Sequence, residues 1–106
     1  MIQQLLTDVR KVQKLSLPSY PDSEVEYYDG LLTGQLTEIN KCETDEEKGI
    51  KTLEFLIKSW SFVDETNNPL PVNIDNLKKL PLADFMFLMD NINNIMKVED
   101  VKKKKN

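Results

Sequence analysis

Residues 59–82, SWSFVDETNNPLPVNIDNLKKLPL, constrain this chain more than any other stretch. They hold its only tryptophan, Trp60, and three of its five prolines, Pro69, Pro71 and Pro81. Each proline fixes its own φ, lacks an N–H and biases the preceding residue away from helix. No single helix runs through such a stretch. The apolar-patterned segments on either side must therefore be separate elements, with the last lying back across the first. Within the stretch, Asp64–Asn68 read as a polar turn and Pro69–Val72 as extended chain. Asn73 is placed to cap a short helix over 74–79, with Ile74 and Leu77 inward. Pro81 stands at the first position of the final helix, where a missing N–H costs nothing.

The segment before the stretch begins Thr44-Asp45-Glu46-Glu47. A Thr followed three residues later by Glu predicts a capping box, and the acidic first turn suits the positive end of the helix dipole. Ile50, Leu53, Leu56, Ile57 and Trp60 then recur at helical spacing and are expected to form one buried face. Lys51 is expected to pair with Glu47 at i, i+4. Gly49 weakens this helix and is expected to allow the close approach of another backbone.

The final helix is predicted over 81–97. Leu82, Phe85, Met86, Met89, Ile92 and Met96 form its apolar stripe, widened by Phe87, Leu88 and Ile95. Ala83, Asp84, Asp90, Asn91, Asn93 and Asn94 leave a narrow polar face. One neighbour in a small domain does not cover so wide a stripe. Met and Phe adapt well to partner surfaces. Phe85, Phe87, Leu88, Met89, Ile92, Ile95 and Met96 are therefore the candidate partner-binding residues.

Upstream, Leu15-Ser16-Leu17 and Glu24–Tyr28 alternate like strands around the loop Pro18–Ser23. A hairpin pairing 13–17 with 24–28 is expected, with its prolines in the loop. Residues 1–12 fit either a short helix or an extended arm. Leu31, Leu32, Leu36 and Ile39 mark a short helix. The fold class is mainly α (α+β): one helical domain over 1–98 with an N-terminal arm and minor β-hairpin at 1–28. Residues 99–106 form a charged tail.

The 106 residues suffice for one modest core. The net charge of −4 argues against nucleic acid as the main partner, because phosphate binding needs a basic surface. The absence of histidine removes the commonest general base and transition-metal ligand. Cys42 alone forms no intrachain disulfide, which fits a reducing compartment. No apolar run approaches a membrane span, and no signal-peptide pattern opens the sequence. Asp64-Glu65-Thr66-Asn67-Asn68 has oxygen ligands at calcium-loop spacing. Pro69, however, takes the place where that loop needs glycine. Nothing supplies a nucleophile or oxyanion site beside the carboxylates. The expectation is a non-enzymatic protein without cofactor or metal.

The order of motifs from Leu53 to Leu88 resembles a pattern in the tail assembly chaperones of long-tailed bacteriophages. The pattern is a helix ending at Trp60, an aromatic and Asp64-Glu65 turn, Pro69-Leu70-Pro71, a short helix, Leu80-Pro81 and a final apolar helix. Leu17-Pro18-Ser19-Tyr20-Pro21 and Gly30-Leu31-Leu32 also fit it. Asn67-Asn68 departs from it, standing where the turn usually contains glycine. Asparagine tolerates left-handed φ next best.

The resemblance implies a chaperone in the host bacterial cytoplasm. Such a protein would bind the tape-measure protein and help recruit tail-tube subunits, with homo-oligomers possible and no nucleic-acid or membrane partner. It also implies that Lys102–Lys105 could coincide with a frameshift site yielding a longer form. Two other readings suit the same residues: a structural tail or connector subunit of the virion, and a small acidic inhibitor of a host protein.

Overall fold

The structure, a computed structural model, describes residues 3–91. It is a small domain of several helices around an N-terminal three-stranded antiparallel sheet. The strands are β1 (Val12–Leu17), β2 (Tyr20–Tyr28) and β3 (Ile57–Trp60), in that spatial order. The helices are α1 (Thr33–Asn40), α2 (Asp45–Leu56), the single turn α3 (Ile74–Leu77), and α4, helical from 82 to 91. Residues 92–97 of the expected last helix and the tail at 99–106 lie outside the described residues.

The expected hairpin is present, but its turn is tighter than the prolines suggested. β2 begins at Tyr20, leaving Pro18-Ser19 as the connection. Leu15 pairs with Val25 and Leu17 with Tyr20, so β2 carries extra residues opposite β1. This bulge absorbs Pro21, which has no N–H for a ladder. Ser23 repairs the gap: its buried hydroxyl accepts from the Leu17 N–H (3.0 Å) and donates to the Tyr20 carbonyl (2.6 Å).

The third strand corrects the helical reading of Ile57 and Trp60. α2 ends at Leu56, and Ile57 turns extended at ψ 118°. The chain then pairs with β2, matching Ile57 to Tyr27 and Trp60 to Val25. β3 uses three steps where β2 uses two, so it is bulged at Lys58. The bulge puts Ile57 and Trp60 on one face of the sheet. An i, i+3 spacing that mimics a helix is thus realised in a strand. Two serines pin the new strand. Ser59 Oγ donates to Glu26 Oε1 (2.6 Å), and Ser61 Oγ accepts from the Glu24 N–H (2.9 Å). The Ser59 hydroxyl, helped by Lys14, holds the Glu26 carboxyl below its ordinary range.

α2 starts as expected: Thr44 Oγ1 accepts from the Glu47 N–H at 3.1 Å. The returning bond is displaced, with Glu47 Oε2 accepting from the Glu43 N–H at 3.3 Å. Lys51 pairs with Glu54 at 2.9 Å rather than with Glu47. The face Ile50, Leu53 and Leu56 packs against Leu17, Val25 and Ile57 of the sheet, and Leu77 and Leu88 close the core.

Before β1 the chain is an extended arm. Leu5, Leu6 and Val9 are 78%, 97% and 83% exposed. Its root is clamped. Arg10 stacks 3.8 Å over the Tyr28 ring, donates to the Gly30 carbonyl (3.0 Å) and bridges Asp8 (2.8 Å). The Arg10 side chain, then its backbone N–H, hold the Asp8 carboxyl down to about 2. A depressed carboxyl stabilises the clamp fully above its ordinary value of about 4 and loses that contribution as pH falls through about 2. An NMR titration should give Asp8 a midpoint near 2, and Arg10→Ala should return it to about 4. A wild-type midpoint near the ordinary value would contradict the clamp.

The turn after Phe62 is closed by Asp64. Its Oδ1 accepts from the Thr66 N–H (2.8 Å), the Thr66 hydroxyl (2.7 Å) and the Asn68 N–H (3.0 Å). The Thr66 hydroxyl is the largest influence holding this carboxyl low. Asn67 sits at φ 67°, the left-handed region. Asn67→Gly should stay within about 0.5 kcal/mol of wild type, whereas the β-branched Asn67→Val should cost about 1–2 kcal/mol. Thermal unfolding measures both, and equal losses would refute the backbone account.

Candidate functional site

The final helix does not face the core in the way its apolar stripe predicts. Asp84, expected on the polar face, is fully buried, and Leu88 is buried beside it. Asp84 Oδ1 accepts the Ser19 N–H at 3.0 Å, tying the first turn of α4 to the β1–β2 turn. Among the described residues Asp84 Oδ2 has no hydrogen-bond partner. This bond, made 65 positions away in sequence, fixes the rotation of the helix about its axis.

The candidate residues therefore divide. Leu88 belongs to the core, and Phe85, Phe87 and Met89 are half-buried against it. Gly49 makes room for two of them. A Cβ there would lie 3.2 Å from Met89 Cε and 3.8 Å from Phe85 Cζ. The expectation of a backbone approaching Gly49 is thus corrected: the nearest atoms belong to the Met89 and Phe85 side chains. Ile92, Ile95 and Met96 lie outside the described residues.

The rotation leaves Leu82 and Met86 on the exposed side, 74% and 51% accessible. They stand one turn apart, i and i+4, so they share one edge of the helix. Beside them runs an open groove of about 510 Å³, lined by Ile50, Leu77, Leu80, Leu82 and Phe85, with Glu46 and Lys78 at its rim.

A second concavity of about 250 Å³ lies across Leu80, which lines both. Its walls are Tyr20, Trp60, Phe62, Val63 and Leu70, with Asn76 and Lys79 at the edge. Phe62 holds Tyr20 and Trp60 edge-on, with ring centroids 5.1 and 5.4 Å away. The Trp60 indole N–H donates to the Leu70 carbonyl at 2.7 Å. That bond leaves the ring faces as the available surface. Asn76 Nδ2 donates to the Pro71 carbonyl (2.8 Å), and its N–H to Asn73 Oδ1 (2.9 Å). The prolines and these bonds keep the walls in place.

The two concavities share Leu80, near the connector and the start of α4, and aliphatic and aromatic side chains make up most of their lining. Among the described residues no three His, Cys, Asp or Glu side chains are grouped to hold a metal ion, and no helix is long and apolar enough to cross a membrane. No protein-family model, curated protein or solved structure matches the chain.

Leu82 and Met86 were visible in the sequence as part of the stripe, yet the candidate set omits them. Contacts distant in sequence, of Asp84 with Ser19 and of Leu88 with the core, decide which edge of the stripe stays in solvent. The aromatic walls carried a signal in the clustering of Trp60 and Phe62. Tyr20 joins them through the hairpin.

Proposed function

We propose that this protein is a tail assembly chaperone that covers an apolar face of the tape-measure protein. The supporting observation is the pair of mostly apolar concavities that share Leu80, together with the exposure of Leu82 and Met86 on α4. An amphipathic helix presents apolar side chains at i, i+3, i+4 and i+7, and two adjoining concavities suit two successive turns of it. Glu46 and Lys78 beside one concavity and Lys79 beside the other favour a client helix with charges flanking its apolar stripe. Such binding keeps the long client soluble in the host cytoplasm while tail-tube subunits gather around it. The order of motifs around Trp60, Pro69, Pro71 and Pro81 supports the same reading.

The test is co-expression with the tape-measure protein. Wild type should raise the client's soluble fraction and co-purify with it. Leu82→Asp combined with Met86→Asp should lower recovery at least about tenfold, since each places a charge against an apolar contact. Both sites are exposed, so circular dichroism should show an unchanged fold. An insoluble client with no complex would refute the reading.

A further inference from the structure

We infer that the arm of one copy, through Leu5 and Leu6, seats in the groove beside Leu82 of a second copy, giving a reciprocally exchanged dimer. Among the described residues the arm and the groove are both apolar and unpartnered, and the geometry keeps them apart. Arg10 fixes the arm's root against Tyr28 and Gly30, at the end of the hairpin remote from its turn. The Ser19–Asp84 bond places the start of α4, and with it Leu82 and Phe85, at the turn end. β1 separates the two ends by six residues, about 20 Å. Leu5 lies three residues beyond the clamped Asp8, a reach of about 10 Å at most. The arm therefore does not reach its own groove while the clamp holds, but a second copy's groove is free to approach it.

Leu5, Leu6, Val9, Leu82 and Met86 are 78%, 97%, 83%, 74% and 51% exposed, and they are the apolar area that an interface of the standard ~800 Å² per partner would draw on. In reciprocal exchange each copy contributes one arm and one groove, so the contact closes at two copies. The clamp also pre-orders the arm's root, which reduces the entropy lost on docking. Each copy carries −4, so added salt should strengthen the dimer by screening their repulsion.

The groove is part of the surface proposed for the client. Only one consequence rests on that reading: arm and client compete for it. Sedimentation equilibrium of the full chain, with no client present, tests the dimer separately. Over roughly 10–200 μM, wild type should sediment at twice the monomer mass. Leu5→Asp with Leu6→Asp should halve that mass without changing circular dichroism, because these side chains are exposed within one copy, and Tm should become independent of protein concentration. Leu82→Asp should do the same.

On a Cys42→Ser background, Leu6→Cys protein mixed with Leu82→Cys protein should form a disulfide-linked pair under mild oxidation. A monomeric wild type over this range, or a dimer that survives the arm substitutions, overturns the proposal. Dissociation by the arm substitutions but not by Leu82→Asp, with no cross-linked pair, overturns the assigned groove. Loss of the dimer with client binding intact leaves the chaperone reading standing, and the converse outcome leaves the dimer standing.

Discussion

Leu53→Ala is expected to destabilise the domain by about 3–4 kcal/mol, the largest effect of any single truncation in it. Leu53 is fully buried in the C-terminal half of α2. It packs in the cluster that joins Leu17 and Val25 of the hairpin to Leu77 and Leu88 of the C-terminal half. Its loss removes the transfer free energy of the deleted carbons and leaves a cavity that elements on several sides would have to fill. A domain of this size has about 5–15 kcal/mol in all, so the variant should unfold at a urea midpoint lower by about 2 M. Leu82→Ala is the matched control, because Leu82 is 74% exposed. Measured at a concentration too low for association, it should change stability by about 0.5 kcal/mol or less. Equal losses from the two would show that α2 and α4 present other faces than those described.

Asp84 carries the second large effect. Its Oδ1 is the acceptor that joins α4 to the hairpin turn, while its Oδ2 is buried without a partner among the described residues. Asp84→Ala removes the acceptor from the Ser19 N–H and should cost about 1–3 kcal/mol. Asp84→Asn keeps a carbonyl oxygen for Ser19 and replaces the orphaned oxygen with an amide. It should lie within about 1 kcal/mol of wild type. Hydrogen exchange at the Ser19 amide separates the outcomes: fast in the alanine variant, protected in the asparagine variant. If Asp84→Ala is more stable than wild type, the orphaned oxygen outweighs the tether. The rotation of α4 must then be fixed by Leu88 and its neighbours alone.

Local signals in the sequence carried much of this fold. Thr44, Asn73 and Pro81 start helices through short-range rules, and the elements they begin are present. Alternation in 15–17 and 24–28 located the hairpin, and Asn67 takes the left-handed turn position its chemistry permits. The misreadings share one physical cause, which is a contact distant in sequence. β3 shows this most clearly. Its bulge at Lys58 turns a three-residue spacing into a one-faced strand, and only the register with Val25 and Tyr27 reveals it. Periodicity alone does not distinguish that pattern from a helix. α4 repeats the lesson at the candidate site. Its stripe marked the right helix, but Asp84 looked like a surface residue because Ser19 lies in another element.

The placement of β3 also sets the order in which the domain is assembled. The β1–β2 hairpin closes locally, through Ser23 and a two-residue turn. The inner edge of β2, however, has no strand beside it until the chain has passed through both α1 and α2. Closing that long loop before any reward favours a route in which the two helices form and dock first, carrying Ile57 and Trp60 to Val25 and Tyr27. Strand addition then becomes the late step. Substitutions at Ser59 and Ser61, which pin β3, should accelerate unfolding while leaving the folding rate nearly unchanged.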